Sequence, residues 1–521
     1  MNKVVQLTAA SLFVTGMSLP LWAAVPDAAK SDTENSAPQS DKDAVPDAAP
    51  QSDKDAVPDS QVSTPSKDVL RFTLQHRFNG SDPLPIDTIE IPFDKIADQP
   101  QILLKALKDN FSKHLEKQKK PVQIDTVLKW LLPEQASKVL VNLPNVSIKT
   151  NIGSNGAGES DLVFPAYRRE VPESLGKGLI DWKGLDGKFT FIDKFDNLTV
   201  AINIAGLMLN EEGKFIAELG KSSFSSAFDT NFELTRMALD FPLIKAGENA
   251  DNLLSLKEII ASFTVEESSK GLKLGHFDAK VGHVNLTEKG SKIGLINNFA
   301  VIGKAKEQNA VVDYSLESKI DKLILPKNMT SGESLEISYV GNLAFRNLDA
   351  SALLELQKTG RTLKKDDPMM PMVMLGKFIE VSPKLMAKSP EIALTQLTVK
   401  TPTGNLQGNV SLKLDGKKAT SLDQSVLLSA LLGQVDFSIG KDLLKQAMIS
   451  QADYTMQGIA KDKKLTKEQL EKLESESEKQ IKKFLALKWL VDGGDGNYKL
   501  VAEFKDKKLT VNGQVIPLPL P

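Results

Sequence analysis

Val410-Ser-Leu-Lys-Leu414 and Val435-Asp-Phe-Ser-Ile439 alternate apolar and polar side chains residue by residue. Asn145–Lys149 (NVSIK), Gly187–Phe195 (GKFTFIDKF) and Leu509–Val515 (LTVNGQV) do the same. A period of two marks a β-strand with one face buried and the other wet. Turn-forming sequences separate such segments: Leu185-Asp-Gly187, Asn210-Glu-Glu-Gly213, Glu288-Lys-Gly290, Pro402-Thr-Gly-Asn405, Asp415-Gly416 and Asp506-Lys-Lys508. Connections this short join neighbouring strands as antiparallel hairpins, whereas a parallel sheet needs helical crossovers. The pattern therefore predicts an α+β, β-rich chain: a long, curved antiparallel sheet running as a meander, with helices at its N- and C-terminal ends.

Outward from the strands, amphipathic spacing predicts helices over Leu103–Lys117 and Thr126–Leu140, the second kinked or restarted at Pro133. Toward the C-terminus come helical patterns at Ala350–Leu363, Asp442–Gln457 and Thr466–Leu490, with a Met- and Pro-rich stretch from Pro368 to Met386. Thr466 and Gln469 form a capping box for the last helix, in which Leu470, Leu473, Ile481 and Phe484 recur at helical spacing. That stripe is a candidate apolar lid over the buried face of the sheet. Two closing strands are expected at Tyr498–Phe504 and Leu509–Ile516. The body accordingly divides into an N-terminal strand and helical region (69–143), a β meander (144–345) and a C-terminal α+β region (346–521).

The front of the chain is different. A short positive start, Met1-Asn-Lys3, precedes the mostly apolar Val4–Ala24, which ends in Leu21-Trp-Ala-Ala24. This is the shape of a Sec-type export signal, and it also has the length of a bilayer span, so residues 1–24 read as a cleaved signal or as an inner-membrane anchor. Residues 25–68 contain a tandem twelve-residue repeat, Ala37–Ala48 and Ala49–Ser60, and carry ten acidic residues against four lysines. With so few apolar side chains this acidic linker cannot offset the entropy of ordering, so it is expected to be disordered. The N-terminal segment predicts a protein of the periplasm or cell envelope, in which the linker is a tail, or a tether if the segment is retained.

The formal net charge of −2 gives no concentrated basic surface, so nucleic acid is not an expected partner. Absence of cysteine excludes disulfides, thiolate metal sites and thiol catalysis. Of the four histidines, only His276 and His283 are close in sequence, and a spacing of seven puts them on opposite faces of one strand, where they cannot share a metal. Gly153-Ser-Asn-Gly-Ala-Gly158 lacks the lysine of a nucleotide loop and leads into a strand, so it reads as a hairpin loop. Ser174 with Lys177, and Ser438 with Lys441, match a bare serine–lysine spacing without opening a helix. Asp492-Gly-Gly-Asp-Gly-Asn497 lacks the downstream glutamate of a calcium loop and reads as a helix stop and turn. No catalytic constellation, cofactor motif or metal set emerges.

Val312–Leu323 (VDYSLESKIDKL), Glu333–Phe345 and Pro390–Gly404 (PEIALTQLTVKTPTG) resemble the YdgA-like family of bacterial envelope proteins. The ending, a helix pair from Lys441 to Leu490 followed by Tyr498–Phe504 and Leu509-Thr-Val-Asn-Gly-Gln514, is similar to that family's C-terminus, and Trp182-Lys-Gly-Leu-Asp-Gly187 to its central strand pair. The likeness spans about residues 140 to 516. It implies an N-terminal hydrophobic segment at the inner membrane and a body in the periplasm, and carries no catalytic residues, since the family's function is unknown. The repeat linker departs from the family pattern. Together these readings predict a non-enzymatic envelope protein that holds a lipid or docks a protein partner on the apolar face of its sheet. The alternative is a hydrolase whose site residues are scattered along the sequence.

Overall fold

The computed structural model describes residues 69–92, 101–192, 196–212, 214–268, 270–325, 335–363, 368–449 and 467–518. The residues read as an export signal, the repeat linker, Thr466 of the capping box and the second half of Asp442–Gln457, residues 450–457, lie outside them; its first half, residues 442–449, is helical. Among the described residues the strands form one antiparallel sheet, assembled from two ladders that merge.

The first ladder starts at an edge with β2 (Asp87–Pro92), which pairs with β1 (Val69–Phe78). It continues through β3 (Val122–Trp130), β4 (Val146–Ile152), β5 (Gly158–Phe164), β8 (Leu185–Ile192), β9 (Asp196–Ile204) and β12 (Ser222–Phe228) to β13 (Leu234–Asn249). The second ladder takes the hairpins left aside: β6 (Tyr167–Val171), β7 (Gly178–Trp182), β10 (Leu207–Glu211) and β11 (Phe215–Leu219), which also ends on β13. β13 serves both. Its first half, Leu234–Asp240, pairs with β12 and its second, Ile244–Gly247, with β11. Pro242 stands at the change of partner, where a residue without an N–H interrupts no ladder bond.

From β13 onward the chain is a plain meander of long strands: β14 (Asn252–Glu267), β15 (Lys273–Glu288), β16 (Ser291–Gln308), β17 (Val311–Leu325) and β18 (Leu335–Asp349). β19 (Glu391–Thr401), β20 (Gly404–Leu414), β21 (Leu431–Gly440), β22 (Val491–Gly494), β23 (Asn497–Lys505), β24 (Lys508–Val511) and β25 (Gln514–Ile516) follow, with β21 pairing directly to β23.

Helices sit in the connections. α1 (Gln101–Leu115) and α2 (Glu134–Val139) belong to the first ladder. α3 (Ala350–Thr362) and α4 (Met370–Ala387) lie between β18 and β19, α5 (Gln424–Ala430) between β20 and β21, and α6 (Lys467–Ala486) before β22. No helix of the described residues is long and apolar enough to cross a membrane.

The expected β-rich architecture is present, with two local corrections. Thr126–Leu140 is not a helix: residues up to Trp130 belong to β3, and only Glu134–Val139 is helical. Val122, Ile124, Thr126 and Leu128 are buried in strict alternation, so β-branched side chains packed in a sheet override the weak helical spacing. Pro133 begins the short helix instead of kinking a long one, as its missing N–H allows. The closing segment Leu509–Ile516 is likewise two strands, turned at Asn512-Gly513, both of positive φ, as a two-residue hairpin turn requires.

The main core lies in the ladder region. Phe78, Phe111 and Leu115 join Ile124, Ile152, Ile180, Trp182, Val200, Ile202, Phe224, Met237, Leu239 and Phe241 in one cluster. Past β13 the clusters among the described residues are small, such as Leu272, Leu274, Val312 and Ala350 under Leu353 and Leu354 of α3.

That helix is anchored by Asp349, whose carboxylate accepts the Ala352 N–H at 2.9 Å and the Ser351 hydroxyl at 2.5 Å. Burial pushes the Asp349 carboxyl up, yet these hydrogen bonds outweigh it and hold it below its usual range. A depressed folded-state pKa contributes stability that is present at neutral pH and lost as pH falls through the carboxylate range. Asp349→Ala should therefore cost about 1 kcal/mol at pH 7 in urea unfolding. The gap between variant and parent should narrow progressively under acid.

Candidate functional site

Antiparallel pairing keeps residues directly opposite one another on the same side of the sheet, so the register can be followed from strand to strand. One such row runs Phe263, Phe277, Gly303, Leu316, Leu343, Leu394, Val410, Val435 and Ala502 from β14 to β23. The next row on that face contains Ala261, Ala279, Val301, Ser318, Gly341, Leu397, Gly408, Phe437 and Leu500. Beyond it lie Ile259, Val281, Phe299, Ile320 and Tyr339, continued by Val399, Leu406, Ile439 and Tyr498. On the other side stand Tyr314, Phe345, Ile392, Leu412, Gly433 and Phe504. None of these positions carries a formally charged side chain. The intervening residues point the other way and are mostly polar: one row of that opposite face runs Ile260, Lys280, Ala300, Lys319, Val340, Thr398, Gln407, Ser438 and Lys499, six of its nine positions polar or charged.

The apolar face begins inside the closed core. Phe224 pairs with Leu239, and Leu239 with Ala261; the first two are buried in the main cluster and Ala261 is half-buried against it. Past β14 the cover thins. Phe277 and Leu316 keep 37% of their surface, Leu412 45% and Ile392 49%. Nine strands at ~4.8 Å, crossed by four rows at ~6.7 Å, make a floor of about 800 Å² in plan. That exceeds the largest apolar patch of an ordinary monomer.

Glycines shape this floor. A Cβ on Gly303 would run into the Phe277 ring, one on Gly408 into the Phe437 ring, and one on Gly341 into the Tyr339 hydroxyl. Each aromatic thus lies down over a bare backbone instead of standing off the sheet, which leaves the surface apolar and shallow. The Tyr339 hydroxyl is satisfied by the Ser318 hydroxyl at 3.1 Å.

A crease crosses the long strands. It passes through Pro242, Glu258, Gly282, Asn298 and Asp321, which lie between matched pairs of successive strands; Glu258 and Asn298 have positive φ. Beyond it the apolar positions of β13 to β17 resume three residues on, not two, while in β18 the step from Tyr339 to Ile337 stays two. Ile244 packs against the same cluster as Phe241, and Leu256, Val284, Ile296, Leu323 and Ile337 continue its row. The Glu258 side chain lies over Gly282, and Asn298 donates to Asp321 at 2.9 Å, so the crease is polar while the floor stays apolar.

This crease overturns one expectation. His276 and His283 flank Gly282 in β15, and the phase change places both on the polar face, not on opposite faces. They remain about 23 Å apart along the strand. His283 meets Asn297 at 3.0 Å. Ser174 lies in a single 3₁₀ turn and Ser438 in β21, while Lys441 pairs with Asp492 at 2.8 Å. Gly153–Gly158 is the β4–β5 hairpin turn, closed by the Gly153 N–H on the Ala157 carbonyl at 2.8 Å. Of the lid stripe, Leu473 and Ile481 are buried and Phe484 is half-buried, stacked on Trp489 at 5.9 Å. A second apolar surface escaped the sequence reading: the first turns of α4 leave Met372, Val373, Leu375, Phe378 and Ile379 exposed.

A polar cluster also escaped it, at the opposite end of the apolar face. His76 is fully buried in β1, directly opposite Thr126 of β3, whose hydroxyl lies 2.8 Å from His76 Nδ1. His76 Nε2 meets Asn110 Oδ1 at 2.7 Å; the Asn110 amide donates to Asp87 at 3.1 Å, and His114 Nε2 lies 2.5 Å from the same carboxylate. Burial lowers the His76 pKa. For Asp87, hydrogen bonds from His114, Asn110 and Lys113 outweigh burial and hold the carboxyl below its usual range. These residues come from β1, β2 and α1, 38 positions apart at the extremes, so no local spacing announced them.

A model of the family described as a bacterial protein of unknown function, DUF945, matches residues 120–519. The chain belongs to the DUF945 family. No curated protein matches it. The whole open floor of this DUF945 chain lies within the matched span, whereas His76, Asp87 and His114 precede it.

The floor's shape can be tested through its glycines. Gly408→Val should destabilise the DUF945 fold by about 1–3 kcal/mol, because the new side chain must displace the Phe437 ring and crowd the Asp436 carbonyl. Urea unfolding of variant and parent measures the difference; an unchanged midpoint would mean the ring does not rest there.

Proposed function

We propose that this protein binds lipid through its acyl chains on the open apolar floor of β14–β23 and performs no chemistry on them. The observation that carries the reading is the set of uncharged rows in which, among the described residues, Phe277, Leu316, Ile392 and Leu412 stay exposed, since apolar surface of this extent gains free energy by leaving water. A flexible chain of methylenes suits a broad, shallow surface without pockets for fixed polar groups. The absence of charged groups along the rows favours holding over reaction, because general acid–base and nucleophilic catalysis need titratable groups beside the bound molecule.

The N-terminal segment Val4–Ala24 supports placement of this body in the periplasm, either released after cleavage or tethered by residues 25–68 to the inner membrane. The same features, with the short phrases from Val312 to Gly404, favour the YdgA-like branch of bacterial envelope proteins. The stripe of Leu473, Ile481 and Phe484 is proposed as a lid, the Leu470 side chain lying outside the described ones, and the exposed strip of α4 as a further apolar contact for the cargo.

The protein should be expressed with its leader in a bacterium, purified gently and extracted for mass spectrometry. Stoichiometric phospholipid or fatty acid is expected. The paired change Leu316→Asp and Leu412→Asp should remove most of it, while Gln407→Asp on the polar face should not. A monodisperse, ligand-free monomer recovered repeatedly would overturn the binding reading. Hydrolysis of an acyl ester by the same preparation would defeat the non-enzymatic one.

A further inference from the structure

We propose that His76, Asp87 and His114 form a site for one divalent transition-metal ion, best matched by Zn2+, which fastens α1 over the closed end of the sheet. One ring nitrogen of His76, one of His114 and a carboxylate oxygen of Asp87 converge so that all three lie within 4.8 Å of one another, with His114 Nε2 already 2.5 Å from Asp87. A tetrahedral ion at ~2.0–2.2 Å from each ligand holds donor atoms roughly 3.3–3.6 Å apart, so closure requires shifts of about an ångström or less. Two imidazoles and one carboxylate, with no thiolate in the chain, are borderline to hard donors that suit Zn2+.

The surroundings are those of a built site. Asn110 and His114 are one helical turn apart and face the same way, so α1 delivers both together. The Asn110 amide oxygen, 2.7 Å from His76 Nε2, is placed to serve as a fourth ligand or to hold a bound water. Thr126 sits on the far side of the His76 ring, where its hydroxyl can accept from Nδ1 and leave the Nε2 lone pair for the ion. Lys113 approaches the remaining oxygen of Asp87 at 3.3 Å. Phe111, with its ring centroid 4.8 Å from that of His76, and Phe78 at 6.4 Å close the site on its apolar side.

In the metal-free state the same atoms are held by hydrogen bonds alone, with Nε2–H donating to Asn110 and the Thr126 hydroxyl donating to Nδ1. Binding an ion exchanges this tautomer for the other and joins β1, β2 and α1 through one centre. Since His76 shares its face of the sheet with the apolar rows, by way of Thr126, Ile148 and Leu162, the ion would fix the end wall of that surface.

The test uses tag-free full chain, stripped with a chelator and dialysed. Titration with Zn2+ in a calorimeter should give one ion per chain and a higher thermal midpoint. Co2+ should develop the visible absorption of a tetrahedral complex. His114→Gln, on the half-buried rim, should lower Zn2+ affinity at least tenfold while circular dichroism stays unchanged, and Thr126→Val should weaken it tenfold to a hundredfold through loss of ring orientation. Should His76→Gln fail to fold, the His114 and Thr126 variants still decide. Absence of stoichiometric Zn2+ binding, or binding unaffected in His114→Gln, would overturn the site. Lipid recovery is a separate readout, so either result leaves the acyl-binding reading to its own test.

Discussion

Cross-strand register is the constraint on which everything else here depends. In an antiparallel ladder a slip of one residue turns every side chain of a strand to the other face. A surface uncharged over nine strands therefore exists only because each pairing holds its neighbour in phase, from Phe263 against Phe277 to Val435 against Ala502. Where a strand departs from regular geometry, its neighbours depart with it. Glu258, Gly282 and Asn298 lie along one line, and the apolar pattern shifts by the same step in each strand. Pro242 begins that line at the place where β13 changes from one ladder to the other.

The sheet was legible in the sequence because period-two alternation is a local signal, and Val410–Leu414 and Val435–Ile439 carry it without interference from neighbours. The failures are also local in origin. Thr126 to Leu140 has apolar residues at spacings that both a helix and a strand accept, and only the partners β1 and β4 decide between them. The order of pairing was hidden as well: that β5 meets β8, or that β11 and β12 share β13, depends on contacts between distant segments.

The candidate surface was half legible. Alternation showed that one face of each strand is apolar, and could not show whether a second layer covers it. The aromatic rings lying on Gly303 and Gly408 are invisible to a reading along one strand, since each pair spans two. His76, Asp87 and His114 are scattered across a strand, an edge and a helix, and helical spacing shows only that Asn110 and His114 share a face. The histidine pair that is close in sequence, His276 and His283, does not meet in space.

If the acyl-binding proposal holds, one face of the meander, and not the other, meets lipid. A photo-reactive amino acid can be placed at Leu412 or at Gln407, which stand on opposite faces of β20. After irradiation in living cells, crosslinking to lipid is expected from position 412 and none from position 407. Equal labelling at both positions, or protein adducts at 412 with no lipid, would contradict it.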